Sequence, residues 1–119
     1  MKLITIQEPS MAKFDKNKPP MHLIPPEALT KIAEVFAFGA AKYGENNWRR
    51  DGHCTSWSRT YSSIQRHMNA WHSGEDIDPE SGLDHISHAT TQLMILMVHM
   101  MEHPTVDDRY SATDKLENS

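Results

Sequence analysis

The chain holds a single cysteine, Cys54. That excludes an internal disulfide and a zinc site built from paired cysteines. As a nucleophile Cys54 would need a base; its neighbour His53 does not supply one, because residues adjacent in sequence seldom point at each other, and a plain loop thiol is expected. Cations are scarce as well: 12 Lys and Arg stand against 16 Asp and Glu, for a net charge of −4. A nucleic-acid binder that neutralises phosphates with clustered basic residues is thereby excluded, though a small phosphorylated ligand is not. No apolar run approaches the roughly 18 residues of a membrane span. The opening MKLITIQEPS lacks the apolar core of a secretory signal, so a cytoplasmic protein that avoids membranes is expected. Several phosphate and hydrolase signatures are missing too. There is no GxxxxGK[ST] loop, no GxSxG elbow, no HExxH helix and no His-Asp dipeptide.

The remaining composition is that of one domain: 119 residues, 38% hydrophobic and 24% charged, with eight His and eight Met. Residues 1–26 read as an irregular arm, because KFDKNKPPMHLIPPEA packs four prolines and three lysines into sixteen residues. The arm is either disordered or a lid carrying lysines to a phosphate. A helix is expected at about 27–43, opened by Pro26 and Glu27 and stopped by Gly44. Leu29, Ile32, Ala33, Phe36, Ala40 and Tyr43 recur along it at helical spacing. Residues 44–56 read as a loop holding Trp48. A second helix is expected at about 57–73, capped by Thr55 or Ser56, with Tyr61, Ile64, Met68 and Trp71 as its apolar stripe. Asp78-Pro79-Glu80 has the order of a helix start, so a last helix is expected from there to His103, where Pro104 stops it. Leu83, Ile86, Ala89 or Thr90, Leu93, Met97 and Met100 are its expected buried stripe, and Asp84, His88 and Thr91 form another. The weak strand pattern at Leu3–Ile6 stands apart. Residues 1–104 thus form an all-α domain, with 105–119 a polar, poorly ordered tail. Three helices bury little, so a helical bundle completed by oligomerisation is expected.

The segment from Glu75 to Asp84 puts five carboxylates in ten residues. Hard divalent cations take several oxygen ligands. Glu75, Asp78, Asp84 and His88 can converge where the second helix ends and the last begins, near His67. Asp84 and His88 are four apart, and His85 and His88 three apart, both workable ligand spacings. Helix capping accounts for Asp78 and Glu80 almost wholly, since acids favour the positive end of a helix dipole. Glu34 is either a surface acid paired with Lys31 or a ligand from the first helix.

Three long blocks, KFDKNKPPMHLIPPEAL, FGAAKYGENNW and RHMNAWHSGEDIDPESGLDHISHA, resemble a phage family of MazG-like dATP/dGTP diphosphohydrolases over about residues 13–103. Within it the resemblance is to the MazZ type, from phages that replace adenine with 2-aminoadenine. It implies an all-α pyrophosphohydrolase, a homodimer or homotetramer, that takes purine (deoxy)nucleoside triphosphates, dGTP first, to the monophosphate. It also implies two or three Mg²⁺ or Mn²⁺ ions. Glu34, Glu75, Asp78 and Asp84 are the implied ligands, with Glu80, His85 and His88 beside them. Glu34, Glu75, Asp84 and His88 are the implied catalytic groups. Lys13, Lys18, Lys42 and Arg66 are candidates for phosphate, Tyr43, Asn47 and Trp48 for the base, and His67 for a further substrate contact. The wider MazG pattern carries E-x-x-E and E-x-x-D pairs on helices. Here the last helix reads His85-Ile86-Ser87-His88, and the literal E-x-x-D spans Glu75 to Asp78.

Overall fold

In a computed structural model, residues 17–50 and 53–111 are described. Three helices carry the fold: α1 Pro26–Tyr43, α2 Trp57–His72 and α3 His85–Glu102. Single 3-10 turns sit at Met21–Leu23, Asn47–Arg49 and Pro104–Val106. Among the described residues there is no strand, only an isolated bridge between Ile77 and Asp84. The architecture is all-α, and no helix of these residues is long and apolar enough to cross a membrane.

The first two helices begin and end where local chemistry puts them. Pro26 occupies the first turn of α1, where a missing N–H costs nothing. Gly44 ends it at φ 94°, a conformation a side chain resists, and its N–H returns to Ala40. Ser56 caps α2, its hydroxyl accepting from the Arg59 amide at 3.1 Å. α3 packs extensively on α2 and more lightly on α1. The shared core is small: Val35, Cys54, Trp57, Ile64, Ala89 and Ile95.

The last helix corrects the sequence reading twice. It starts at His85, not at Pro79. Asp78 instead closes a turn on itself, accepting from the Glu80 amide and the Ser81 hydroxyl. Gly82, at φ 75°, interrupts any helical continuation. Asp84 then serves as cap, taking both the amide and the hydroxyl of Ser87 at 2.8 Å. The buried face is also rotated from the one expected. His85, His88, Thr91, Ile95 and His99 face the other helices, whereas Ile86, Leu93, Met97 and Met100 lie exposed in the single chain. α1 and α2 flank the polar stripe, so among the described residues the apolar stripe has no packed neighbour.

Residues 104–109, read from composition as the end of the domain and the start of the tail, turn back along α2. The Trp57 indole donates to the His103 carbonyl, the Ser58 amide to Asp108, and Arg109 lies 4.9 Å over the Trp57 ring. Residues 112–119 and the strand pattern at 3–6 lie outside the described residues, as does Lys13.

Candidate active-site cleft

A cleft of about 1410 Å³ runs between α1, residues 44–48 and 53–56, α2 and α3. Its floor is the polar stripe of α3, which includes His85, His88, Thr91 and His99. The two ends differ. Near the start of α3, three imidazoles meet. His67 Nδ1 is 2.9 Å from His85 Nδ1, and the His67 ring lies flat on His88 at 4.5 Å and 5°. His85 Nε2 reaches Glu75 at 2.8 Å. His88 Nε2 reaches the Ser81 hydroxyl at 2.6 Å and stands 3.5 Å from Asp78. Phe38 meets His88 edge-on from α1. The helical register of α2 places His67 here, and the 75–84 turn brings Asp78 and Ser81 in behind.

Burial sets the charges at this end. It pushes His67 below the usual imidazole value, and the neighbouring His88 and His85 push the same way. Burial lowers His88 too, against the opposing pull of Asp78. Burial alone would raise Asp78, but the Glu80 amide, the Ser81 hydroxyl and His88 outweigh it and hold the carboxyl below its usual range. The result is that His67 and His88 are biased toward the neutral form and Asp78 toward the ionised one.

At the other end Trp48 is wedged between Phe36 and His99, with ring centres 6.0 and 5.8 Å away. His99 Nε2 donates to the Trp48 carbonyl at 3.0 Å, and Arg49 pairs with Glu102 at 2.7 Å. These two contacts clamp the loop to α3. Cys54 is buried here, and burial raises its thiol, which makes it a poor nucleophile.

Among the residues singled out from sequence, the cleft gathers Lys42, Tyr43, Asn47, Trp48, Arg66, His67, Asp78, Glu80, His85 and His88. Glu34 is exposed and outside the lining, although its neighbours Ala33 and Val35 belong to it. Lys31, its expected partner, stands 3.7 Å from Asp84 instead. Asp84 is occupied as a cap, and Glu75 touches the cleft only through His85. Lys18 is exposed and not in the lining. Glu80 pairs with Lys42 at 2.8 Å, which raises the lysine's pKa. Sequence reasoning passed over Arg59 and Ser63, which line the cleft two turns and one turn before Arg66 and His67. Their spacing, 59, 63, 66 and 67, is that of one helix face and was open to inspection.

The described residues hold no group of three or more His, Cys, Asp or Glu side chains arranged for a metal ion. Mg²⁺ often needs less from a protein, since one or two carboxylates and the substrate's phosphate oxygens, with water, complete its shell. Asp78 and Glu80, two residues apart at the polar end of the cleft, meet that requirement.

Comparison with known proteins gives the family. Over residues 8–109 the chain matches the model of the dATP/dGTP diphosphohydrolase N-terminal domain. A protein of Salmonella phage PMBT28 called dATP/dGTP diphosphohydrolase is 36% identical over 97 residues, 82% of this chain and 32% of its own length. The chain thus spans about a third of the length of the curated relative it matches. No solved structure matches. The chain belongs to the dATP/dGTP diphosphohydrolase N-terminal domain family.

Proposed function

We propose that the cleft hydrolyses a purine (deoxy)nucleoside triphosphate to its monophosphate and pyrophosphate. The observation that carries this reading is the polarity of the cleft along its length. Lys42, Arg59 and Arg66 line it together with Asp78 and Glu80, and Trp48 lines its other end. Cations of this kind bind phosphate oxygens, and an indole stacks on a base. Asp78 and Glu80 are the residues that would hold a divalent ion, Mg²⁺ or Mn²⁺. When bound, the ion neutralises charge on the triphosphate. The arginines orient the chain of phosphates, and the neutral imidazoles of the polar end are suited to take up a proton. The relative's printed name covers dATP and dGTP, which favours purines broadly. A preference for dGTP, in the service of 2-aminoadenine nucleotide synthesis as in the MazZ type, is the narrower form of the reading. It rests on the resemblance of the sequence blocks.

A second copy of the chain completes the bundle in this reading. The stripe Ile86, Leu93, Met97 and Met100 runs the length of α3, with Met97 63% exposed. Contiguous apolar surface of this kind is usually covered. A homodimer or homotetramer is expected by light scattering.

The test is incubation with each common NTP and dNTP, with and without Mn²⁺, and chromatography of the products. Metal-dependent release of pyrophosphate from dGTP or dATP supports the reading. Release of single phosphates, or no turnover, sinks it.

A further inference from the structure

Three side chains at the polar end form a line: Glu75, His85 and His67. Each junction restricts where a proton can sit. A carboxylate only accepts, so in the 2.8 Å contact with Glu75 the proton belongs to His85 Nε2. In its neutral form His85 carries one ring proton, so its Nδ1 is then a bare acceptor. It lies 2.9 Å from His67 Nδ1, and two bare nitrogens at that distance repel. The His67 proton therefore sits on Nδ1. Its Nε2 is left with a free lone pair, and no hydrogen bond reaches that atom among the described residues. His67 lines the cleft, and the flat stack on His88 fixes the plane of its ring.

We propose that Glu75 and His85 are positioning residues that set the tautomer of His67, so that its Nε2 offers a proton acceptor to the cleft. Glu75 is half exposed, but His85 is only 4% exposed and held between the other two. A carboxylate fixing a histidine's tautomer is a recurring device in catalytic sites. Here it acts through a second imidazole. The use made of that acceptor rests on the proposed pyrophosphohydrolase reading. In it, a water oxygen forms a bond to the α-phosphorus while the bond to the bridging oxygen breaks. That electron pair leaves with pyrophosphate, and the water's proton passes to His67 Nε2 and later to solvent.

The tautomer is measured without substrate or turnover. Two-bond ¹H–¹⁵N spectra of the uniformly ¹⁵N-labelled full chain at pH 8 assign the proton in each ring. The expected result is a protonated Nδ1 and a lone-pair Nε2 on His67, with the reverse on His85. A protonated His67 Nε2 would overturn the proposal. Glu75→Gln, at a half-exposed position, gives a side chain that can either donate or accept. His67 is then expected to become a mixture of tautomers and kcat to fall at nearly constant KM. An unchanged His67 tautomer in that variant would remove Glu75 from its role. If no nucleotide is turned over, the proposed reaction fails while the spectrum still decides the tautomer.

Discussion

The two ends of α3 carry histidines of equal burial and unlike company. His85 and His88 are 4% and 7% exposed, and His99 is 4% exposed. At the start of the helix every side-chain hydrogen bond or ion pair of these rings joins a second titratable or polar side chain: Glu75, Ser81, Asp78 or another imidazole. At the end, His99 makes one bond to a main-chain carbonyl and otherwise meets the Trp48 and His103 rings, with its Nδ1 unpartnered. Burial therefore does not assign a role. The partners separate the two ends: titratable side chains hydrogen-bonded to one another at the start, and a main-chain carbonyl with aromatic rings at the end.

The comparison can be pressed at several points. The largest effect is expected at Asp78. Asp78→Asn keeps the shape and removes the charge, and should slow pyrophosphate release by about 100-fold, the scale seen when a preorganised electrostatic contact is lost. Activity assays on the folded variant check this. An equal loss in His99→Phe would erase the distinction between the ends.

His99→Phe should act on stability instead. It leaves the Trp48 carbonyl without its donor, and urea denaturation should show a loss of about 1–3 kcal/mol. kcat should stay close to that of the parent chain.

Acid should weaken the start of α3. His67 and His88 have folded-state values below their ordinary 6.5, so the unfolded chain binds protons first as pH falls. The stability they lend is complete above about 6.5 and is lost as pH drops below it. Thermal melts at pH 7.5 and 5.5 should show a lower Tm in acid, and His67→Phe should narrow the difference.

The smallest effect is expected from Arg49→Ala. Its pair with Glu102 is exposed on both sides, and such pairs contribute little. The denaturation midpoint should hardly move, which would leave His99 as the principal clamp of the loop.

Much of this was legible in the sequence where the signal is local. Pro26, Gly44 and Ser56 set the bounds of α1 and α2 through contacts within one turn. The start of α3 was not, because the segment holds two candidate caps. Asp78 and Asp84 both precede the right residues, and the choice falls to Gly82 and the Ile77–Asp84 bridge. Which stripe of α3 is buried depends on what α1 and α2 present to it, information no single helix carries. For the same reason the acidic cluster divided. Asp78 and Glu80 line the cleft, Asp84 caps a helix, Glu75 acts through His85, and Glu34 remains on the surface. Histidine spacing proved the better guide, since His67, His85 and His88 are brought into contact.

The three tryptophans occupy three different surroundings: Trp48 in the cleft wall, Trp57 buried under Arg109, and Trp71 exposed near the end of α2. That distribution gives the molecule its own optical readout. Trp57 emits from a dry environment and Trp71 from a wet one, and neither lines the cleft. Light from Trp48 alone is expected to change when a base settles beside Phe36 and His99, so ligand entry can be followed by intrinsic fluorescence with no added label.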